Sequence, residues 1–202
     1  MTIWAIVPVK PLRLGKSRLA GVLSDDERAV LNRNLLEQTI ETIRQTPEIS
    51  QTLVVSRDPA ALAIARQYGA RTVLEDGTPD LNSALARATL LARNYATRGV
   101  FILPADLPCL NKDDLLSFLS FVHEAPCVVI SPDRRDNGTN ALFMAPGGLF
   151  KYDFGPGSFE RHCAIAREIG AHLEIVRNPN ITLDLDTPDD LELLKQIEKA
   201  KS

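Results

Sequence analysis

Short apolar runs alternate along this chain with longer segments whose apolar residues recur every three or four positions. The first run, Ile3 to Val9, reads as a buried strand and breaks at Pro8 and Pro11. Ser24-Asp25-Asp26-Glu27 then marks a helix start, with Ser24 as N-cap and Glu27 at the capping-box position. Val30, Leu31, Leu35, Leu36, Ile40 and Ile43 form one face of that helix. Leu53-Val54-Val55 is a second strand, and Asp58 caps a helix that has Pro59 at its first position and stops at Gly69. Thr72 to Leu74 is a third strand. An Ala/Leu-rich helix runs from about Leu81 to Ala96, and Gly99 to Leu103 is the next strand. The pattern predicts a helix from Asn111 to His123, strands at Cys127 to Ile130 and Asn140 to Met144, and a helix from Gly157-Ser158 to Gly170. Leu173 to Val176 is the last strand. Thr187 and Pro188 open the last helix as N-cap and first residue.

Continuous apolar strands between amphipathic helices predict an α/β fold whose mostly parallel sheet is covered on both faces, with a Rossmann-like early rhythm. No linker or repeat divides the chain, so residues 1–202 read as one domain, with an irregular stretch between Pro132 and Gly157. Open sheets of this kind bind ligands outside the carboxyl ends of their strands. That directs attention to Lys10–Arg18, Asp76–Asn82, Asp106, Asp133–Thr139 and the segment ending at Asp186.

Composition narrows the picture without redirecting it. A net charge of -3 supplies no global basic field for nucleic acid and no polybasic membrane signal, so any anion binding must be local. The 3 cysteines, Cys109, Cys127 and Cys163, form no C-x-x-C pair, which argues against a disulfide framework or a cysteine zinc site. The apolar run before Lys10 is too short for a signal segment or a membrane span. A soluble cytoplasmic protein is expected.

Four segments could carry chemistry. Lys10, Arg13, Lys16 and Arg18 surround the single Gly15 in a cationic loop after the first strand. It is neither a P-loop nor a Gly-rich dinucleotide fingerprint, so charge would have to do most of any phosphate binding; a solvated basic loop is the competing reading. Asp106 follows a buried strand between Pro104 and Pro108, a rigid position suited to Mg²⁺, although an Asp capping a turn would look the same. Asp184 and Asp186 alternate with Leu183 and Leu185 and would share one face of an extended segment; helix capping is the alternative use. Phe154-Gly155-Pro156-Gly157-Ser158-Phe159 leads glycines into a helix start, either an anion seat or a plain glycine turn.

Taken together these segments resemble the 2-phospho-L-lactate / phosphoenolpyruvate guanylyltransferases of coenzyme F-420 biosynthesis. The resemblance rests on Pro8-Val9-Lys10…Lys16-Ser17-Arg18-Leu19, Asp80-Leu81-Asn82…Ala84-Leu85, Pro104-Ala105-Asp106-Leu107-Pro108, Gly138-Thr139-Asn140-Ala141-Leu142, Phe154-Gly155-x-x-Ser158-Phe159 and Leu183-Asp184-Leu185-Asp186-Thr187-Pro188, in that order. It implies a three-layer α/β/α nucleotide-diphospho-sugar-transferase type fold with a mostly parallel mixed sheet. It implies transfer of GMP from GTP to a small phosphorylated three-carbon acid, with release of pyrophosphate. Asp106, Asp184 and Asp186 would hold Mg²⁺. Lys10, Lys16 and Arg18 would face the triphosphate, and Leu81 and Asn82 would lie near the base. Lys16, Arg18 and Asp106 would be catalytic, and Thr139, Gly155 and Ser158 would bind the acceptor.

The alternatives are a related nucleotidyltransferase, of the cytidylyltransferase or molybdopterin guanylyltransferase type, and a catalytically idle nucleotide-binding domain. The first usually carries a Gly-rich opening loop, which this chain lacks. Among acceptors, phosphoenolpyruvate, 2-phospho-L-lactate and 3-phosphoglycerate stay open, and a homodimer is the expected assembly.

Overall fold

The first strand, β1 (Ile3–Val9), divides its side chains between two cores. Ile3, Ala5 and Val7 face one apolar cluster, and Trp4 and Ile6 face the other. A strand buried on both sides has no polar face to spare, which is why the run is apolar throughout. In the computed structural model, which describes residues 2–201, β1 is the third of seven strands. The others are β2 (Ile49–Ser56), β3 (Arg71–Leu74), β4 (Gly99–Ile102), β5 (Cys127–Pro132), β6 (Thr139–Ala145) and β7 (His172–Ile175). They lie in the order β3-β2-β1-β4-β6-β5-β7.

β1 pairs in parallel with β2 and β4, β2 with β3, and β5 with β7. Only β6 runs against its neighbours β4 and β5. The sheet is therefore mixed but mostly parallel, as the apolar runs predict. The reversal matters for function. It brings the start of β6, at Thr139, to the same sheet edge as the ends of β1 and β4.

The helices are α1 (Asp25–Arg44), α2 (Pro59–Gln67), α3 (Leu81–Arg93), α4 (Lys112–Leu119), α5 (Ser158–Glu168), the short α6 (Pro179–Thr182) and α7 (Pro188–Lys201). Leu36, Ile40 and Ile43 of α1, Leu62 of α2, and Leu115 and Phe118 of α4 pack on one sheet face. Leu85 and Ala88 of α3, with Phe159 and Cys163 of α5, pack on the other. That is the three-layer α/β/α arrangement.

The capping box at Ser24 and Glu27 forms as predicted, and so do the Asp58 cap and the Pro59 start. Several boundaries shift. α3 ends at Arg93, and Ala96 turns left-handed with φ 53°. α4 ends at Leu119, and the chain goes on to Val122 through tighter i→i+3 bonds. Val30 is exposed rather than part of the buried face. It lies six residues before Leu36, and at roughly 100° per residue it points about 120° away from the stripe. The stretch between Pro132 and Gly157 holds the strand predicted within it. β6 fills part of it, and the Asp133 carboxylate closes the preceding turn by accepting N–H bonds from Arg135, Asn137 and Gly138.

Candidate active site

The cationic loop after β1 is built tightly. Leu12 and Leu19 are buried and anchor its two ends. The Leu12 N–H donates to Asp58 Oδ2 at 2.9 Å, and Asn32 Nδ2 donates to the Leu12 carbonyl at 2.7 Å. Gly15 packs so closely on α1 that a Cβ there would stand 2.6 Å from Asn32 Nδ2. This is the reason for the loop's single glycine. Lys16 follows in a left-handed conformation, φ 57°, which turns its side chain inward.

Lys16 Nζ donates to Asp106 Oδ2 and to Asp186 Oδ1, each at 3.0 Å. Its side chain is 6 % exposed. Burial works against the charge, but the two carboxylates outweigh it and hold the ammonium above the ordinary lysine value. A basic loop with a buried, paired lysine is a site component, not a solvated surface.

The two aspartate segments are stapled by backbone. The Leu185 N–H donates to the Asp106 carbonyl at 3.0 Å. Leu183 and Leu185 are buried while Asp184 and Asp186 turn the other way, as their alternation predicts. Asp190 secures the far side: its Oδ2 accepts the N–H groups of Asp186 and Thr187 and the Thr187 hydroxyl. Asn140, the second residue of β6, donates to the carbonyls of Ile181 and Thr182 and, at 3.4 Å, to Asp184 Oδ1.

This cluster is short of positive charge. Burial, helped by the neighbouring Asp106 and Asp186, pushes the Asp184 carboxyl up to about 6. Asp106 Oδ1 is buried without a hydrogen-bond partner among the described residues. A hard divalent cation would answer both facts, since all-oxygen carboxylate ligands suit Mg²⁺. Asp106, Asp184 and Asp186 therefore fit the expected metal.

A cavity of about 440 Å³ opens beside the cluster. Its lining includes the charged side chains of Lys10, Lys16, Asp106 and Asp186 and the apolar ones of Val55, Pro79, Leu81 and Ala84. Arg57 and Glu75 also line it, and neither stands out in the sequence. Arg18 sits on the exposed 3-10 turn after Lys16 and is not part of the lining. Asn82 is not part of the lining either. Its Oδ1 accepts the Phe154 N–H at 2.7 Å and its Nδ2 donates to the Phe154 carbonyl at 3.2 Å. Both ends of the amide are thus used to tie α3 to the glycine segment.

Thr139, Gly155 and Ser158 come together, and none of them is part of that cavity's lining. The Ser158 N–H donates to the Gly155 carbonyl, and the Ser158 and Thr139 hydroxyls lie 3.1 Å apart. Gly157, not Ser158, caps α5; its φ of 75° suits glycine, and Ser158 is the first helical residue. Behind the hydroxyls is His162, fully buried, with Nδ1 3.0 Å from Thr139 Oγ1. His162 Nε2 accepts the Asp153 N–H, so the ring's hydrogen is on Nδ1 and is donated to Thr139. Burial lowers this imidazole to about 4, which keeps it neutral. The two hydroxyls then share one bond between them. One hydroxyl hydrogen is left over, with no acceptor among the described residues.

Residues 3–200 match the family model described as Guanylyl transferase CofC like. A phosphoenolpyruvate guanylyltransferase from Rubrobacter xylanophilus is 40% identical over 195 residues, 96% of this chain and 94% of that protein. One from Roseiflexus castenholzii is 39% identical over 97% of this chain and 89% of that protein. Among solved structures, a nucleotidyl transferase from Methanothermobacter superposes with a TM-score of 0.69 at 15% identity, with 99% of each chain covered. CMP:2-keto-3-deoxy-manno-octonic acid synthetase, solved with CTP, gives 0.64 at 11% identity with 100% of each covered. The fold is that of the nucleotide-diphospho-sugar transferases. The chain belongs to the CofC-like guanylyl transferase family and is a nucleotidyltransferase.

Proposed function

We propose that this guanylyltransferase moves GMP from GTP onto phosphoenolpyruvate or 2-phospho-L-lactate, releases pyrophosphate, and serves coenzyme F-420 biosynthesis. The observation that carries the reading is the buried ammonium of Lys16, held between Asp106 and Asp186 in the lining of a nucleotide-sized cavity. The name carried by its curated relatives favours phosphoenolpyruvate as the acceptor.

In this mechanism a phosphate oxygen of the acceptor attacks the α-phosphorus of GTP in line. The new P–O bond forms as the bond to the β-phosphate oxygen breaks, and pyrophosphate leaves with the electron pair. The attacking phosphate is already anionic near neutral pH, so no side chain has to remove a proton. The obstacle is electrostatic: two polyanions must meet, and charge grows on the leaving group.

Lys16 answers the second part. Its ammonium is desolvated in advance and need not be stripped of water when the triphosphate arrives, and preorganised donors of this kind contribute about 10²-fold or more. Lys10, at the cavity rim, and Arg18, on the turn after Lys16, add positive charge along the same loop. Leu81 and the other apolar lining residues would receive the base, with Asn82 holding α3 to Phe154. Mg²⁺ held by Asp106, Asp184 and Asp186 would neutralise charge on both reactants. The spare hydroxyl hydrogen of the Thr139–Ser158 pair would orient the acceptor, with Gly155 keeping the backbone turn open.

The test is Mg²⁺-dependent pyrophosphate release with GTP, CTP, ATP and UTP against phosphoenolpyruvate, 2-phospho-L-lactate and 3-phosphoglycerate. Release with GTP and one of the first two acceptors is expected. A preference for CTP would move the protein to the cytidylyltransferase type, and no release with any pair would leave the idle-domain reading.

A further inference from the structure

We propose that His123, His172 and Glu174 form a second metal site, for a divalent transition ion of the zinc class. It lies at the end of the sheet opposite the nucleotide cavity. β5 and β7 run in the same direction as β1, and His172 opens β7, so these side chains gather at the amino ends of the strands. The aspartates and Lys16 gather at the carboxyl ends.

The frame is fixed by backbone. His172 and Glu174 are two apart on one strand and so share a face. His123 arrives from the turn after α4, and its N–H donates to Cys127 Sγ at 3.4 Å. Cys127 stands opposite His172 in the β5–β7 register, which brings His123 back onto the same edge. The two imidazole rings meet edge to face, centroids 4.2 Å apart. Two of the chain's 3 histidines thus converge on one carboxylate.

The donor atoms suit a tetrahedral ion. His172 Nε2 lies 2.9 Å and His123 Nε2 lies 3.7 Å from Glu174 Oε1, and all three donors fall within 4.8 Å of one another. Bonds of about 2.0–2.1 Å in tetrahedral geometry separate ligand atoms by roughly 3.3–3.4 Å. That value lies between the two observed separations. Small rotations of half-exposed side chains would equalise them. A pair of imidazole nitrogens selects Zn²⁺, Cu²⁺ or Ni²⁺ over Mg²⁺, and three protein ligands at the surface leave the fourth position to water.

The experiment is a Zn²⁺ titration of the full chain by calorimetry, in excess Mg²⁺ to occupy the aspartates. A parallel Co²⁺ titration reads the visible absorption of tetrahedral cobalt. One equivalent should bind to the wild type, and both His172→Ala and His123→Ala should weaken it at least about tenfold and abolish the tetrahedral cobalt bands. Asp186→Asn should leave binding unchanged. Equal affinity in the wild type and His172→Ala would overturn the proposal, as would binding that disappears with Asp186→Asn. In the first case the three side chains are only a surface ion pair; in the second, zinc is bound at the aspartates. Both histidines are half exposed, so their replacement leaves the core intact, and the readout does not depend on guanylyl transfer.

Discussion

Lys16 and Asp186 meet at 3.0 Å across 170 residues of chain. The contact closes the site: one partner comes from the first loop, the other from the segment before the last helix. Lys16→Met should therefore cost turnover and stability together. Pyrophosphate release should fall about 10²-fold. Thermal unfolding should move down as well, because Asp106 and Asp186 lose the one ammonium that pairs with both. Turnover within about threefold of wild type would remove Lys16 from the reaction.

Asp106→Asn separates charge from shape. The amide is nearly isosteric and can still accept from Lys16, so far-UV circular dichroism and cooperative unfolding should persist. Turnover should nearly vanish, by about 10³-fold or more, since the anionic oxygen is gone. Rates like the wild type would rule out a metal role for this residue.

Asn82→Ala removes both bonds to Phe154 and leaves that residue's N–H without its acceptor. Urea unfolding should report a loss of about 1–3 kcal/mol. The KM for the acceptor should rise although Asn82 is not part of the cavity lining, because the Phe154–Ser158 segment loses its tie to α3. Asn82→Asp keeps the oxygen that accepts from Phe154 and should recover part of both effects. An unchanged KM in Asn82→Ala would mean that the clasp serves stability alone.

Ser158→Ala should raise the apparent KM for the acceptor more than that for GTP. The hydroxyl pair has a hydrogen to spare in the proposed acceptor seat, and neither Thr139 nor Ser158 lines the cavity. The reverse pattern would assign the segment to the nucleotide.

Two buried groups pull stability in opposite directions with pH. His162 titrates near 6.5 when unfolded and at about 4 in the fold. Between those values the unfolded chain holds the extra proton, so stability falls as pH drops, by at most about 3 kcal/mol. Asp184 titrates near 3.8 when unfolded and at about 6 in the fold. There the folded chain holds the extra proton, so stability falls as pH rises through that window. The two slopes offset each other in the wild type without Mg²⁺. Wild-type urea midpoints should therefore change little across that window; on acidification from about pH 7 to about pH 4.5, His162→Asn should make them rise and Asp184→Asn should make them fall. Identical slopes in all three proteins would contradict the buried state of both groups.

Most of this architecture was legible because apolar runs and caps are local signals. The strand at Ile3–Val9 and the helix starts at Ser24, Asp58 and Thr187 needed no tertiary information. The aspartate face of 183–186 was also legible, since alternation alone sets which way side chains point. What escaped depended on contacts between distant segments. Asn82 lies in a motif next to the cavity wall, yet its amide is consumed by Phe154, 72 residues away. Arg57 and Glu75 gain their position only when β2 and β3 pair. His162 is visible in the sequence in the first turn after the glycine segment, but a histidine on a helix face does not reveal that a backbone N–H fixes its tautomer. The reversal of β6 was equally hidden, and without it Thr139 would sit at the wrong edge.

The backbone bond from Leu185 to Asp106 joins the sheet to a segment that contributes no strand to it: the seven strands lie between Ile3 and Ile175, and Asp184 and Asp186 follow them. The scaffold and two of the three clustered carboxylates are thus separate stretches of chain. Local opening of residues 183–186 would leave Lys16 paired with Asp106 alone while the sheet stays intact.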